Sequence, residues 1–273
     1  MIKYITFWWY YERRNIKLLY IYSLNKRIFD KTAIEILYNI FINNNYDIEK
    51  YFKKIIITNE DDIVALYSQE KNSIIININK IIKEFTEGIK VFKLDEIQGY
   101  FFLNTQLLVC LFHELEHIKQ RNIAQENTIF GKFIYYGITL NKKNSSDEHD
   151  LKERIKIYNA TYYYNPCERD AYITSSKTVK QLVALSNIID KNIITNLNWL
   201  ILKSEISGYI KEDRIISPSE TFFKYINKED ILQECSNNFT LEERLRYGLS
   251  ISNEEYSRII NARNNIETKI LER

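Results

Sequence analysis

Two histidines and a glutamate at fixed spacing are the residues of this chain best suited to chemistry. Residues 113–117 read His-Glu-Leu-Glu-His. On a helix, His113 and His117 lie one turn apart on the same face, so both imidazoles can reach one tetrahedral ion. Glu114 points into the same cleft without binding the ion, where it can take a proton from metal-bound water. Zinc lowers the pKa of such a water to about 7 and makes hydroxide available at neutral pH.

The setting of this motif favours a metal site over coincidence. The chain has only three histidines, and two of them are in the motif. The residues just before it are mostly apolar, which indicates a buried helix: Leu107, Leu108, Cys110, Leu111 and Phe112. Buried imidazoles beside a carboxylate need polar partners, and a metal ion supplies them. We assign Cys110 to core packing. The alternative is a surface helix with two histidines among carboxylates and no metal.

A catalytic zinc site also needs a third protein ligand and an open fourth position. Glu168 is our candidate, because a carboxylate on a second helix can approach the ion from the side opposite the histidines. Ala171, one turn further on, leaves room for the two helices to pack closely. Two alternatives stay open. Glu168 could serve only in a capping box behind Asn165, or His149, in a polar loop, could supply a third imidazole.

The histidine motif, followed by a helix that carries Glu168, resembles the gluzincin class of zinc metallopeptidases. Within that class it is most similar to minimal phage- and mobile-element-type members such as the ImmA/IrrE group. The resemblance covers about residues 54–183. It implies that His113, His117 and Glu168 bind zinc, that Glu114 is the general base, and that the substrate is a polypeptide.

The chain departs from that family pattern in two places. Fifty residues separate His117 from Glu168, more than in compact members. Tyr172 stands where many gluzincins have an acidic residue that orients the first histidine, a role that Asp170 or another carboxylate could take. An oxyanion formed during peptide hydrolysis needs a fixed donor, and one of the tyrosines at 162–164 is a candidate.

The elements that must position these residues are a small sheet and several helices. Alternation and β-branched runs predict a buried strand at Lys54–Thr58 and a hairpin of Ile63–Tyr67 with Ser73–Asn77. Helices are predicted from Asn79 to Phe85 and, for the histidines, from Asn104 or Thr105 to Arg121 or Asn122. The hairpin also fits the family resemblance, with the substrate extended along the Ser73–Asn77 strand.

The remainder of the chain reads as helical. An amphipathic helix is predicted over Thr32–Ile42, and Asn165 with Pro166 predicts the start of another. Everything beyond residue 175 is predicted to be helical, with capping boxes that begin at Ser217, Thr240 and Ser252.

These elements predict an α+β fold with a zincin-like core, that is, a small β-sheet with an active-site helix and a ligand helix. A mostly helical C-terminal region follows that core. The predicted division is a partly helical N-terminal segment (1–50), the metallopeptidase core (51–183) and the helical C-terminal region (184–273).

Composition narrows the possible partners and compartment. A net charge of +2, from 38 basic and 36 acidic residues, predicts no nucleic-acid partner. Three scattered cysteines are not a disulfide framework and suit a reducing compartment. The first residues lack the features of a signal peptide. The longest uncharged stretch, Ile97–Phe112, includes several polar residues and predicts no membrane span. We therefore expect a cytoplasmic protein.

The sequence thus predicts a zinc metallopeptidase that hydrolyses peptide bonds in a protein substrate. A second hypothesis is a metal-stabilised regulatory or protein-binding module without peptidase activity, in which the helices after residue 175 form the working surface. A third is a metal-free helical interaction protein.

Overall fold

The computed structural model of the chain describes residues 19, 21–36, 53–60, 63–91, 93–143, 162, 164–185, 210–211, 214–215, 217–250, 253, 257 and 261. These residues form a mixed α and β structure that is mostly helical, with one three-stranded sheet. The predicted α+β class is confirmed. The chain forms two compact units, one of Met1–Lys119 with Thr174–Leu200, the other of Gln120–Ile173 with Ile201–Arg273. The predicted division into three segments stays a prediction.

The sheet of the first unit consists of β1 (Lys54–Ile57), β2 (Ala65–Ser68) and β3 (Ser73–Ile76) in the order β1-β3-β2. The predicted hairpin is confirmed, since β2 pairs antiparallel with β3, whereas β1 runs parallel to it. The strand predicted at Lys54–Thr58 is present, but it is an edge strand whose residues are half-buried or exposed.

The prediction that a substrate extends along the Ser73–Asn77 strand is wrong. Ser73–Ile76 is the central strand, paired with a neighbour on each side, and all four of its residues are buried. Its hydrogen-bonding groups are therefore occupied by the sheet itself, so a peptide cannot add to it. A short run of β-branched residues buried on both faces is typical of a central strand.

Two helices follow the sheet. Helix α1 (Ile78–Val91) begins behind Asn77, whose side chain accepts a hydrogen bond from the N–H of Lys80 at 2.9 Å. Helix α2 (Glu96–Ile123) carries the histidine motif over 28 residues. Asp95 and Gln98 form reciprocal side-chain-to-backbone hydrogen bonds of 2.9 Å at its start, which is the capping box that ends the loop.

The predicted start of α2 at Asn104 or Thr105 is wrong by about two turns. Both residues are buried inside the helix. Asn104 accepts a hydrogen bond from the N–H of Phe29 at 2.8 Å and donates one to the carbonyl of Arg27 at 2.9 Å. A polar residue that holds a distant segment therefore looks, in the sequence, like a helix cap.

The core of the first unit packs α2 against the sheet, α1 and the helical residues 31–36. The described part of the helix predicted at Thr32–Ile42 is helical, and residues 37–42 lie outside the described residues. Helix α2 is apolar over much of its circumference, as expected of a helix enclosed by its neighbours. Its buried core residues include Leu107, Leu108, Leu111, Leu115 and Ile118.

The second unit contains the end of α2, helix α3 (Ile129–Lys143) and the start of helix α4 (Pro166–Leu185). A strand pair follows, β4 (Ile210–Lys211) with β5 (Arg214–Ile215), so the prediction that everything beyond residue 175 is helical is wrong there. Three short helices come next: α5 (Pro218–Tyr225), α6 (Glu229–Asn238) and α7 (Leu241–Arg246).

The predicted capping box of α7 is confirmed, and that of α5 is confirmed in its Ser217 half. The Ser217 side chain accepts a hydrogen bond from the N–H of Glu220, and Thr240 forms a full capping box with Glu243. The prediction at Ser252 lies outside the described residues.

An aromatic cluster forms the core of the second unit. Phe133 on α3 stacks on Phe223 of α5 with ring centroids 4.7 Å apart, and Phe239 and Tyr247 meet Phe133 edge-on. All three cysteines of the chain are free. Among the described residues, no helix combines the length and apolar composition that crossing a membrane requires.

Gly137 allows α3 to approach the start of α4 closely. A Cβ added at Gly137 would lie 2.5 Å from Cys167 Sγ and 3.1 Å from Asn165 Oδ1. The Asn165 amide also donates to the Gly137 carbonyl at 2.7 Å. A side chain at this position must therefore push the two helices apart.

We expect Gly137→Ala to lower the free energy of unfolding by about 1–2 kcal/mol, because overpacking outweighs the gain in helix propensity. Gly99→Ala is the matched control. It is also inside a helix, but its Cβ would meet only the flexible Ile89 side chain at 3.3 Å. Urea unfolding of both variants measures the difference, and equal stability would contradict the close packing at Gly137.

Candidate metal centre

Helix α2 presents both histidines of the motif to one point. The Nε2 atoms of His113 and His117 lie 3.0 Å apart, and their rings are nearly perpendicular at 88°. At the usual metal–nitrogen distance, two nitrogens this close subtend roughly 94° at a shared ion. A separation only a few tenths of an ångström larger gives the tetrahedral angle. The spacing predicted from the sequence is therefore realised.

Glu168 is held in the first turn of α4 by the predicted cap. Pro166 is the first helical residue, and the Asn165 side chain accepts a hydrogen bond from the N–H of Cys167 at 2.9 Å. Glu168 is 6 % exposed, so its carboxylate is buried. The N-cap of α4 and the placement of Glu168 are thus set by the same short segment.

The structure brings the three predicted ligands together. One donor atom each from His113, His117 and Glu168 lies within 4.8 Å of the others. Two imidazole nitrogens and a carboxylate oxygen form a group that could hold a metal ion, and this donor set suits several transition metals. His149, the alternative third ligand, lies outside the described residues.

Glu114 takes a different position. It is 7 % exposed and is not one of the three grouped ligands. Its Oε2 accepts a hydrogen bond of 2.7 Å from the backbone N–H of Tyr67 in β2. In an antiparallel pair, alternate residues bond to the partner strand. Since the Val64 carbonyl accepts from Asn77, the N–H of Tyr67 faces away from β3 and towards α2.

Sequence reasoning missed Gln120, one turn beyond His117. Its amide donates to the carbonyl of Cys167 and to Asp170 Oδ2, each at 2.9 Å. Asp170, proposed to orient the first histidine, bonds here to Gln120 and Arg246. The sequence could have indicated this role only through a polar residue three positions after His117 on a buried helix. Such residues are also common in helices that bind no metal.

The tyrosines before α4 are only partly described. The hydroxyls of Tyr162 and Tyr172 hydrogen bond to each other. Tyr164 packs against the core of the second unit, and Tyr163 lies outside the described residues. The assignment of an oxyanion donor among them stays a prediction.

Two cysteines near the candidate ligands have packing roles, as predicted for Cys110. Burial, followed by the nearby carboxylates of Glu114 and Glu84, raises the pKa of the Cys110 thiol to about 12. This residue therefore stays a neutral thiol that packs against the core. Cys167 is buried, and its Sγ donates to the carbonyl of Ile134 at 3.7 Å.

We expect the chain to bind one equivalent of zinc and to unfold at a higher temperature when zinc is present. Binding to the folded state alone adds about 2.7 kcal/mol at a free metal concentration one hundred times the dissociation constant. Glu168→Gln should lose most of this stabilisation. Glu116→Gln is the control, because that buried carboxylate pairs with Lys119 at 3.2 Å. Differential scanning fluorimetry with and without zinc makes the measurement, and an equal response of both variants would exclude Glu168 as a ligand.

Comparisons of the chain with protein-family models, curated proteins and solved structures give no match. The resemblance to gluzincins therefore rests on the motif residues, and any function must be argued from the arrangement of the side chains.

Proposed function

We propose that this chain is a zinc-dependent peptidase with a zincin-like core. The observation that carries the proposal is the position of Glu114. A buried carboxylate directly follows one grouped histidine, stays out of the ligand group and is hydrogen-bonded to a sheet edge. A site that only binds a metal needs no such carboxylate, whereas metal-assisted hydrolysis needs a general base beside the ion.

The donor set also fits zinc in a catalytic role. His113, His117 and Glu168 would hold the ion, and three protein ligands leave a coordination position for water or substrate. Closed structural zinc sites instead use four protein ligands, usually cysteine and histidine. When bound, zinc acidifies water and polarises the carbonyl of the scissile peptide bond.

Glu114 moves the protons in this proposal. The Tyr67 N–H fixes Oε2, so Oε1 is the oxygen that accepts a proton from the attacking water. The same carboxylate then delivers that proton to the amine that leaves when the peptide bond breaks. In this proposal, Oε2 of Glu114 holds the carboxylate in place and Oε1 carries the proton.

The substrate would pair with β2 instead of the central strand. Among the described strands, β2 has a neighbour on one side only. Its outward-facing backbone groups belong to the alternate residues Ala65 and Tyr67, and Tyr67 already reaches Glu114. An extended polypeptide that pairs by β-augmentation with the outward-facing groups of Ala65 would lie beside the general base.

We expect Glu114→Gln to reduce peptide cleavage by about 10²–10⁴-fold, because the amide cannot accept the proton. Zinc content should stay at one equivalent, since the ligands are unchanged. The assay is mass-spectrometric detection of cleavage in a library of unstructured synthetic peptides.

Glu116→Gln is the matched control, as it changes the other carboxylate of the motif, which pairs with Lys119. It should cleave like the parent. Equal cleavage by Glu114→Gln and the parent would refute the assigned mechanism. A parent that binds zinc and cleaves no peptide in the library would favour the metal-stabilised module instead.

A further inference from the structure

A buried polar network joins the last turn of α2 to the first turn of α4. The Gln120 side chain is fully buried, and its amide nitrogen donates to the Cys167 carbonyl and to Asp170 Oδ2, each at 2.9 Å. A glutamine amide has two N–H donors. Each of these two N–H groups has an acceptor, so the side chain donates two hydrogen bonds at once.

The two acceptors bracket Glu168. The Cys167 carbonyl belongs to the peptide unit that leads directly into Glu168, and the Asp170 side chain comes two residues later. Gln120 therefore fixes the backbone of the short segment from which the Glu168 side chain projects. Because Gln120 comes three residues after His117 on one continuous helix, the helix that carries the histidines also holds this segment.

Helix α7 closes the network. Asp170 is completely buried and forms an ion pair with Arg246, whose Nη2 lies 3.2 Å from Oδ2. The chain after Arg246 also lies against the start of α4. A Cβ added at Gly248, where φ is +71°, would be 3.0 Å from the Cδ of Arg169. The C-terminal region thus reaches the segment that carries the proposed metal ligand.

We propose that Gln120, Asp170 and Arg246 are positioning residues that fix Glu168 for metal binding, so that the C-terminal region contributes to the metal centre. This inference rests on the proposed zinc site. Partners of this kind commonly change metal affinity tenfold or more when they are removed, although they do not touch the ion.

A purely structural role would have a different signature. If the network only stabilises the fold, its removal lowers the affinity for metal to the same extent whether or not Glu168 is present. If it acts through Glu168, its removal has no further effect once Glu168 is gone. A double-mutant cycle separates the two cases.

The experiment uses the full chain and Co²⁺ as the probe, with the visible absorption of the bound ion as the signal. Gln120→Met keeps the length of the side chain and removes both donors, and Arg246→Ala removes the ion pair. Each variant is made in the parent and in Glu168→Ala. Lys224→Ala is the control, because it removes an exposed pair with Glu220 on α5.

We expect Gln120→Met and Arg246→Ala to weaken Co²⁺ binding about tenfold or more in the parent. In Glu168→Ala, neither should weaken it further, and Lys224→Ala should have no effect in either background. The absorption spectrum of the two network variants should shift towards that of Glu168→Ala, since all three perturb the same ligand.

The possible failures are distinguishable. No Co²⁺ binding by the parent overturns the metal site itself. Parent-like affinity in both network variants, or equal weakening in both backgrounds, overturns this inference and leaves the metal site standing. If circular dichroism shows that one of the two network variants is unfolded, the other decides the outcome, because the two substitutions remove different contacts of Asp170.

Discussion

Three electron-rich atoms, two imidazole nitrogens and one carboxylate oxygen, converge within 4.8 Å in a mostly buried place, and this convergence constrains much of the described fold. Such atoms do not attract one another, and burial removes the water that would solvate them. In the proposed site, a bound cation would reverse this balance, because it would attract all three atoms at once.

The middle and the end of helix α2 have different roles, and together they bring the two histidines to the candidate site. Its middle is a core helix whose apolar residues pack in the first unit, and its last turns carry the motif and then Gln120. A long helix keeps these positions in a fixed rotational relation, so the packing of Leu107 and Leu111 also sets the direction of His113 and His117. Helix α4 begins sharply at the Asn165–Pro166 cap, which makes the placement of Glu168 equally definite.

The features that depend on residues close in sequence could be predicted from the sequence. The features that depend on contacts between distant residues could not. The histidine spacing, the β2–β3 hairpin and the caps at Asn165, Ser217 and Thr240 are local, and each was read correctly from the chain. The start of α2 was misread because Asn104 bonds to a segment more than seventy residues away. The strand order, the contact between Tyr67 and Glu114 and the role of Gln120 likewise depend on pairings that no local pattern encodes.

The buried charges around the candidate ligands are partly paired with basic side chains. The described buried carboxylates are Glu114, Glu116, Glu168 and Asp170, and the described buried basic residues are His113 and Arg169. Glu116 pairs with Lys119 and Asp170 with Arg246, so these two charges are compensated by cations that reach in from the surface. Glu114 and Glu168 are the two carboxylates that the proposed function places beside the ion. In the proposed site, a divalent cation would add positive charge beside these two carboxylates, and its attraction to them grows as the surroundings exclude water.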